Sequence, residues 1–114
     1  MAYYQATGKR TLLDVGIKMA NHMMSIFGPG KRDWVPGHEE IELALVKLYQ
    51  TTNEEKYLDF AYWLLEERGH GHGSKGDEGD WNPAYYQDEI PVRNLESLCV
   101  HALSVEVVNL CVLR

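Results

Sequence analysis

The chain has 114 residues, which is enough for a single domain with a modest core, and its composition is ordinary for a globular protein. A formal net charge of −6 disfavours a nucleic-acid-binding role, because such proteins usually present a basic face. Apolar runs are too short to span a membrane.

The N-terminal part predicts a helix end, a turn and a long helix. Residues 2–7 predict the end of a helix, and Gly8 is a residue that can take the left-handed conformation after it. From Arg10 to about Ile26, apolar residues recur at helical spacing and predict the long helix. The run Phe27-Gly28-Pro29-Gly30 ends it, and a connecting loop through Trp34 follows.

A helical hairpin over residues 34–69 organises the chain. After Pro36-Gly37, the first helix is predicted from His38 to about Gln50, because its apolar residues recur at i, i+3, i+4 and i+7. Asn53 marks the turn, and the second helix continues to Gly69. We expect its last residues, Glu66, Glu67 and Arg68, to be exposed to solvent.

The hairpin pattern occurs twice. Each residue of one set has a counterpart 45 residues further on: Tyr4-Gln5 with Tyr49-Gln50, Thr7 with Thr52, Gly8 with Asn53, and Leu13-Asp14 with Leu58-Asp59. Self-similarity at this period is typical of arrays of helical hairpins, although two amphipathic helices could match by coincidence. The sequence therefore predicts hairpins over about residues 1–27 and 38–69.

The first copy lacks a full first helix, so we expect the domain to extend beyond Met1. No signal peptide pattern follows Met1. The location is therefore undetermined, and we expect a cytoplasmic protein only if Met1 is the true start. Cys99 and Cys111 lie too far apart on one predicted helix to form a disulfide with each other, and we expect buried thiols.

A long loop over residues 70–91 and a further helix over 92–113 complete the chain. His70 and His72 alternate with glycine, but two histidines without a third ligand are weak evidence for a metal site. Asp77, Glu78 and Asp80 lack the ligand spacing of a calcium loop. We therefore expect a solvated loop and no metal site.

Several polar residues could bind a ligand. His38 stands at a predicted helix start near Trp34, and His101 is polar on an otherwise apolar helix. Trp81, Tyr85 and Tyr86 precede Gln87 and Asp88, and aromatic faces beside amide and carboxylate groups suit sugars. The alternative is structural: a histidine on an apolar face is commonly a core residue, and Trp34 and Trp81 could simply hold loops.

The runs VPGHEEIELALVKLY, KYLDFAYWLLEERG and YYQDEIPVRN closely resemble the family 127 glycoside hydrolases, which are β-L-arabinofuranosidase-like enzymes. The resemblance covers about residues 2–98 and implies an all-α fold, in which helical hairpins form part of an (α/α)6 barrel. It departs from the family pattern at Glu89, where a histidine is usual, and fades from Cys99 onward. It also implies that His38 contacts the sugar, and it aligns His101 with a family histidine.

The resemblance further implies a cysteine nucleophile, a glutamate acid/base, and a zinc ion held by cysteines and a glutamate. Those motifs lie downstream of the matching segment, so we assign no catalytic residue, metal ligand or cofactor to this chain. We expect a part of a glycoside hydrolase acting on β-L-arabinofuranosides or related sugars, inactive alone, whose partners are the sugar and the rest of the barrel. The expected sugar contacts are His38, His101, Trp34, Gln87 and Asp88.

Two other functions remain open at this point. One is a standalone helical-repeat module that binds a protein partner, and the other is a carbohydrate-binding remnant without catalysis. A monomeric chain that melts cooperatively would favour the first, and arabinoside binding without hydrolysis would favour the second.

Overall fold

Four α-helices and one 3₁₀ turn make up the regular structure of the described part of the chain. The computed structural model describes residues 1–38, 40–72, 82–86 and 88–94. The helices are α1 (Ala2–Thr7), α2 (Thr11–Ile26), α3 (Glu40–Thr52) and α4 (Glu55–Glu67), and the 3₁₀ turn is Val92–Asn94. The described residues contain no strand, which confirms the predicted all-α class, and no helix among them is long and apolar enough to cross a membrane. Beyond Asn94, the predicted helix over 92–113 lies outside the described residues.

The turns after α1 and α3 share one geometry. Gly8 has φ +69° and Asn53 has φ +58°, so both take the left-handed conformation that the sequence predicts. Each donates its backbone N–H to a tyrosine carbonyl four residues earlier, at 2.7 Å in both turns. In both turns the preceding threonine hydroxyl donates to a helix carbonyl and accepts the N–H two residues on. The two turns are thus alike in their hydrogen bonds, while the division into repeated units stays a prediction.

We expect Gly8→Ala to lower the free energy of unfolding by about 1 kcal/mol. A left-handed conformation costs a residue with a Cβ roughly 1–2 kcal/mol, although no atom of the described part of the chain would meet the new Cβ within 4 Å. Gly16→Ala is the matched control, because Gly16 lies inside α2 and also has open space around its Cα. That change should raise the free energy of unfolding by roughly 0.5–1 kcal/mol. Urea unfolding of both variants measures the two changes in the free energy of unfolding. Equal changes would contradict the prediction.

The core lies between α3 and α4, with α2 against them. Tyr57, Ala61 and Leu64 on α4 are fully buried, and Leu45 and Val46 on α3 are 3% and 2% exposed. Leu13 and Ala20 are the buried residues of α2. The phenol of Tyr57 donates to the side-chain amide oxygen (Oδ1) of Asn21 on α2, at 3.4 Å.

An open apolar groove of about 200 Å³ runs between α2 and α3. Methionine, leucine, isoleucine, alanine and glycine line it, among them Leu12, Met19 and Ile41. Leu12 is 59% exposed and Met19 is 67% exposed. A contiguous apolar surface of this kind usually marks a contact with another protein segment.

Candidate functional site

Arg68, the residue after α4, occupies the centre of the site. Its side chain is 1% exposed, so the expectation that Arg68 belongs to a solvent-exposed helix end is wrong. Helix α4 carries Ala61, Leu64 and Leu65 into the core, and Arg68 follows them by seven, four and three residues. It therefore continues the buried face of the helix, because residues at these spacings share one side.

The guanidinium of Arg68 holds two loops and one helix together. Its Nη1 donates to the carbonyl oxygens of Gly37, at 3.0 Å, and Tyr86, at 2.7 Å. Its Nη2 donates to the carbonyl oxygen of Pro36, at 3.1 Å, and to Oε1 of Glu42, at 3.2 Å. The two terminal nitrogens of arginine carry four N–H groups in a fixed plane. Four acceptors from three separate parts of the chain thus match the four donors.

Glu42 supplies the negative charge beside Arg68. Its side chain is fully buried on α3, and it forms an ion pair with the Arg68 guanidinium. Desolvating two charges is costly, and the attraction between them offsets that cost only when further hydrogen bonds are made. The carbonyls of Pro36, Gly37 and Tyr86 accept those further bonds. The pair therefore ties the start of α3 to the end of α4.

Asp88 fixes the next turn of the chain. Its side chain is 4% exposed, and its Oδ1 accepts the backbone N–H of Gly69 at 2.6 Å. Gly69 has φ +79°, and a Cβ built there would lie 2.2 Å from the backbone carbon of Ile90. The backbone at Ile90 and Pro91 therefore passes directly against the glycine, where only a residue without a side chain fits.

Next to these buried groups, His38 and two tyrosines form an aromatic cluster that reaches solvent through His38 and Tyr85, while Tyr86 is half-buried. The ring of His38 lies 4.9 Å from that of Tyr85 and 5.3 Å from that of Tyr86, and the two tyrosine rings are 4.9 Å apart. A turn over residues 82–86 presents the tyrosines, because Asn82 accepts the N–H of Tyr85 with its side chain and of Tyr86 with its carbonyl. The Tyr86 ring packs on Gly37, where a Cβ would meet it at 3.3 Å.

The cluster offers stacking faces and hydrogen-bonding groups at one surface. His38 is exposed and Tyr85 is 60% exposed, so both can reach a ligand from solvent. Two buried carboxylates among the described residues near the cluster are engaged: Glu42 with Arg68, and Asp88 with the N–H of Gly69. The aromatic faces and polar groups of the cluster suit recognition of a polyhydroxylated ligand.

Comparison with known proteins shows the family of the chain. The family model described as "Beta-L-arabinofuranosidase, GH127 catalytic domain" matches residues 1–109. The chain belongs to the GH127 family. A non-reducing end β-L-arabinofuranosidase of Bifidobacterium longum subsp. longum is 38% identical over 120 aligned positions, which cover 92% of this chain and 18% of that protein.

Two solved GH127 structures match the fold. A β-L-arabinofuranosidase from Geobacillus stearothermophilus T6 matches with a TM-score of 0.69 and 36% identity, covering 82% of this chain and 17% of that one. A GH127 β-arabinofuranosidase matches with a TM-score of 0.65 and 42% identity, covering 80% and 13%. The prediction of helical hairpins from an (α/α)6 barrel is confirmed by these matches. The chain spans under a fifth of the length of these GH127 relatives.

The structure describes three of the five predicted sugar contacts. His38 lies two residues before α3, in the aromatic cluster. Trp34 is half-buried and stacks on Phe27 with ring centroids 4.6 Å apart, which agrees with a loop-holding role. Asp88 is buried against Gly69. Gln87 and His101 lie outside the described residues, and all five sugar contacts stay predictions.

One group among the described residues could hold a metal ion. Ligand atoms of Asp33, Glu67 and His72 lie within 4.8 Å of one another, and the His72 ring is hydrogen-bonded to Glu67. Asp33 is exposed, and exposed groups of this kind are common without an ion. The group offers nitrogen and oxygen donors, so it does not match the set of cysteines and a glutamate that the GH127 resemblance implies for zinc.

Proposed function

We propose that this chain forms part of the sugar-binding wall of a GH127 glycoside hydrolase that acts on β-L-arabinofuranosides or related sugars. The single observation that carries the proposal is the aromatic cluster of His38, Tyr85 and Tyr86, in a chain of this family. Two of the relatives named above are β-L-arabinofuranosidases, which supports an arabinofuranoside as the ligand.

The cluster can bind a sugar because each of its side chains combines an aromatic face with a hydrogen-bonding group. The C–H face of a sugar ring can stack on an aromatic side chain, while its hydroxyls exchange hydrogen bonds with imidazole nitrogens and phenol oxygens. His38 supplies one hydrogen-bonding group, and Tyr85 and Tyr86 supply two more. Because the catalytic motifs that the GH127 resemblance implies lie downstream of the matching segment, we assign the bond-breaking groups to the rest of the catalytic domain.

Zinc belongs to the same proposal. A thiolate on zinc is a competent nucleophile, because the metal removes the thiol proton. The described residues offer no thiol, since both cysteines lie outside them. We therefore assign zinc to the remainder of the domain and route no step through the residues of this site.

We infer that the apolar groove between α2 and α3 packs against another helical hairpin of the same catalytic domain. The matching segment is 17% of the Geobacillus stearothermophilus chain, so most of that protein lies outside it. A helical hairpin buries its apolar face only against a neighbouring hairpin. The lining of Leu12, Met19 and Ile41 offers such a face and no charged group for a sugar.

A segment exchange tests the function. The matching segment of the Bifidobacterium longum enzyme is replaced by this chain, and hydrolysis of a β-L-arabinofuranoside is measured. We expect the chimaera to hydrolyse the substrate. His38→Ala in the chimaera should lower kcat/KM by about tenfold or more, because a transition-state contact worth about 1.4 kcal/mol or more is removed.

His22→Ala is the matched control, since His22 is an exposed histidine on α2, away from the aromatic cluster. It should leave kcat/KM within twofold of the parent chimaera. Equal kinetics for the two variants would contradict the assignment of His38. A folded chimaera that binds the sugar without hydrolysis would favour the carbohydrate-binding alternative.

A further inference from the structure

We propose that Arg68 is the positioning residue of the aromatic cluster: its guanidinium sets where His38 and Tyr86 stand relative to each other. The inference rests on the proposed sugar-binding function of that cluster and names a residue that acts without touching the sugar. Arg68 itself is 1% exposed, so its role is exerted through the backbone that it holds.

The hydrogen bonds of Nη1 carry the argument. This one nitrogen donates both to the carbonyl of Gly37 and to the carbonyl of Tyr86. The Gly37 carbonyl belongs to the peptide group that leads into His38, and the Tyr86 carbonyl leads out of the tyrosine pair. Because a peptide group is planar, fixing its oxygen also fixes the direction in which the next residue leaves it. A single atom therefore sets the two loops at a defined spacing.

The remaining donors prevent the guanidinium from turning. Nη2 is held by the Pro36 carbonyl and by Glu42, and the guanidinium is planar, so both nitrogens keep their orientation together. Glu42 stands on α3, which gives the loops a rigid reference. Lysine cannot replace this arrangement, because an ammonium has three donors on one atom and four acceptors are present.

A purely structural role is the competing explanation. Under that explanation, Arg68 stabilises the fold, and any variant that remains folded keeps the cluster intact. The two roles differ in what a folded variant without the guanidinium looks like. A measurement of the distances between the rings of the cluster, made separately from the stability measurement, distinguishes the two roles.

The experiment uses nuclear magnetic resonance on the chain with labelled histidine and tyrosine, together with urea unfolding. The three variants are Arg68→Lys, Glu42→Leu, and the double change Glu42→Leu with Arg68→Met. Arg10→Lys is the matched control, because Arg10 pairs with Asp14 on the surface of the protein. The probe ligand is methyl β-L-arabinofuranoside, with methyl β-D-glucopyranoside as the comparison sugar.

We expect Arg68→Lys to abolish the nuclear Overhauser effects between the rings of His38 and Tyr85 and to weaken binding of the arabinoside about tenfold or more. Arg10→Lys should change neither. The double variant should unfold at a higher urea concentration than Glu42→Leu alone, because replacing both charges removes the buried unpaired one. Its Overhauser effects between the two rings should nevertheless disappear.

Overhauser effects and affinity that persist in the folded double variant and in Arg68→Lys would overturn the positioning role. If the wild-type chain shows no arabinoside binding while the Overhauser effects vanish in Arg68→Lys, the positioning role stands and the proposed sugar ligand fails. An equal disappearance of these effects in Arg10→Lys would show that the cluster does not depend specifically on Arg68, and would also overturn the proposal.

Discussion

Gly69→Ala is expected to lower the free energy of unfolding by about 3 kcal/mol or more. The new Cβ would stand 2.2 Å from the backbone carbon of Ile90 and 2.2 Å from the nitrogen of Pro91, closer than atoms approach in folded proteins. Main-chain atoms cannot rotate away, so the segment at Ile90 must move and the bond from Gly69 N–H to Asp88 must lengthen. Overpacking of this kind typically costs about 1–3 kcal/mol, and the left-handed conformation adds roughly 1–2 kcal/mol.

The matched control is Gly71→Ala, two residues further along. Gly71 has φ +74°, so alanine is strained there as well, yet none of the described residues lies within 4 Å of the new Cβ. Only the conformational cost of about 1–2 kcal/mol remains. Urea unfolding of the two variants measures the difference, which is the cost of the clash alone. Equal losses would mean that residues 90–91 do not pass against Gly69.

Glu42→Leu has the second large expected effect, a loss of about 3–5 kcal/mol. Leucine fills a similar volume, but the change leaves the Arg68 charge buried without its partner carboxylate. Arginine cannot lose its proton in a folded protein, so the charge must stay unpaired or the loops must open to water. Equilibrium urea unfolding gives the loss directly.

Asp14→Leu provides the comparison at an exposed ion pair. Arg10 and Asp14 form it with side chains 57% and 49% exposed, and such pairs contribute about 0–1 kcal/mol. We expect the loss there to stay within about 1 kcal/mol. If the two substitutions cost the same, Glu42 and Arg68 are solvated in the protein and the proposed role of Arg68 falls with them.

The helices can be predicted from the sequence because local signals mark them. Apolar residues at helical spacing define α2, α3 and α4, and residues that tolerate the left-handed conformation, Gly8 and Asn53, mark two helix ends. The predicted helix starts differ from the observed ones by one or two residues. His38 is predicted at the start of a helix and lies two residues before it, since helix boundaries carry weaker signals than helix interiors.

The centre of the site is absent from the sequence-based prediction, although a signal for it exists. Glu42 is three, four and seven residues before Leu45, Val46 and Tyr49, so it lies on the same helix face as these apolar residues. Arg68 continues the face of Leu64 and Leu65 in the same way. A charged residue near a helix end is usually exposed, so a prediction from sequence places Arg68 in solvent despite its spacing from the buried leucines. The acceptors cannot be predicted, because backbone carbonyls exist at every position and have no sequence signature.

The position of Arg68 also determines when the aromatic cluster becomes ordered. Its acceptors lie 18, 26, 31 and 32 residues away along the chain, so the full set of bonds forms only when the hairpin and both loops have come together. Releasing one loop would remove a carbonyl acceptor from a buried guanidinium N–H, which is costly, so opening of one loop is coupled to the rest of the site. A ligand of this surface therefore meets a conformation that is already assembled. The entropy cost of ordering the loops is therefore met when the protein folds. Because the binding-competent conformation is then the major one, the apparent affinity for a ligand is not lowered by a small competent fraction.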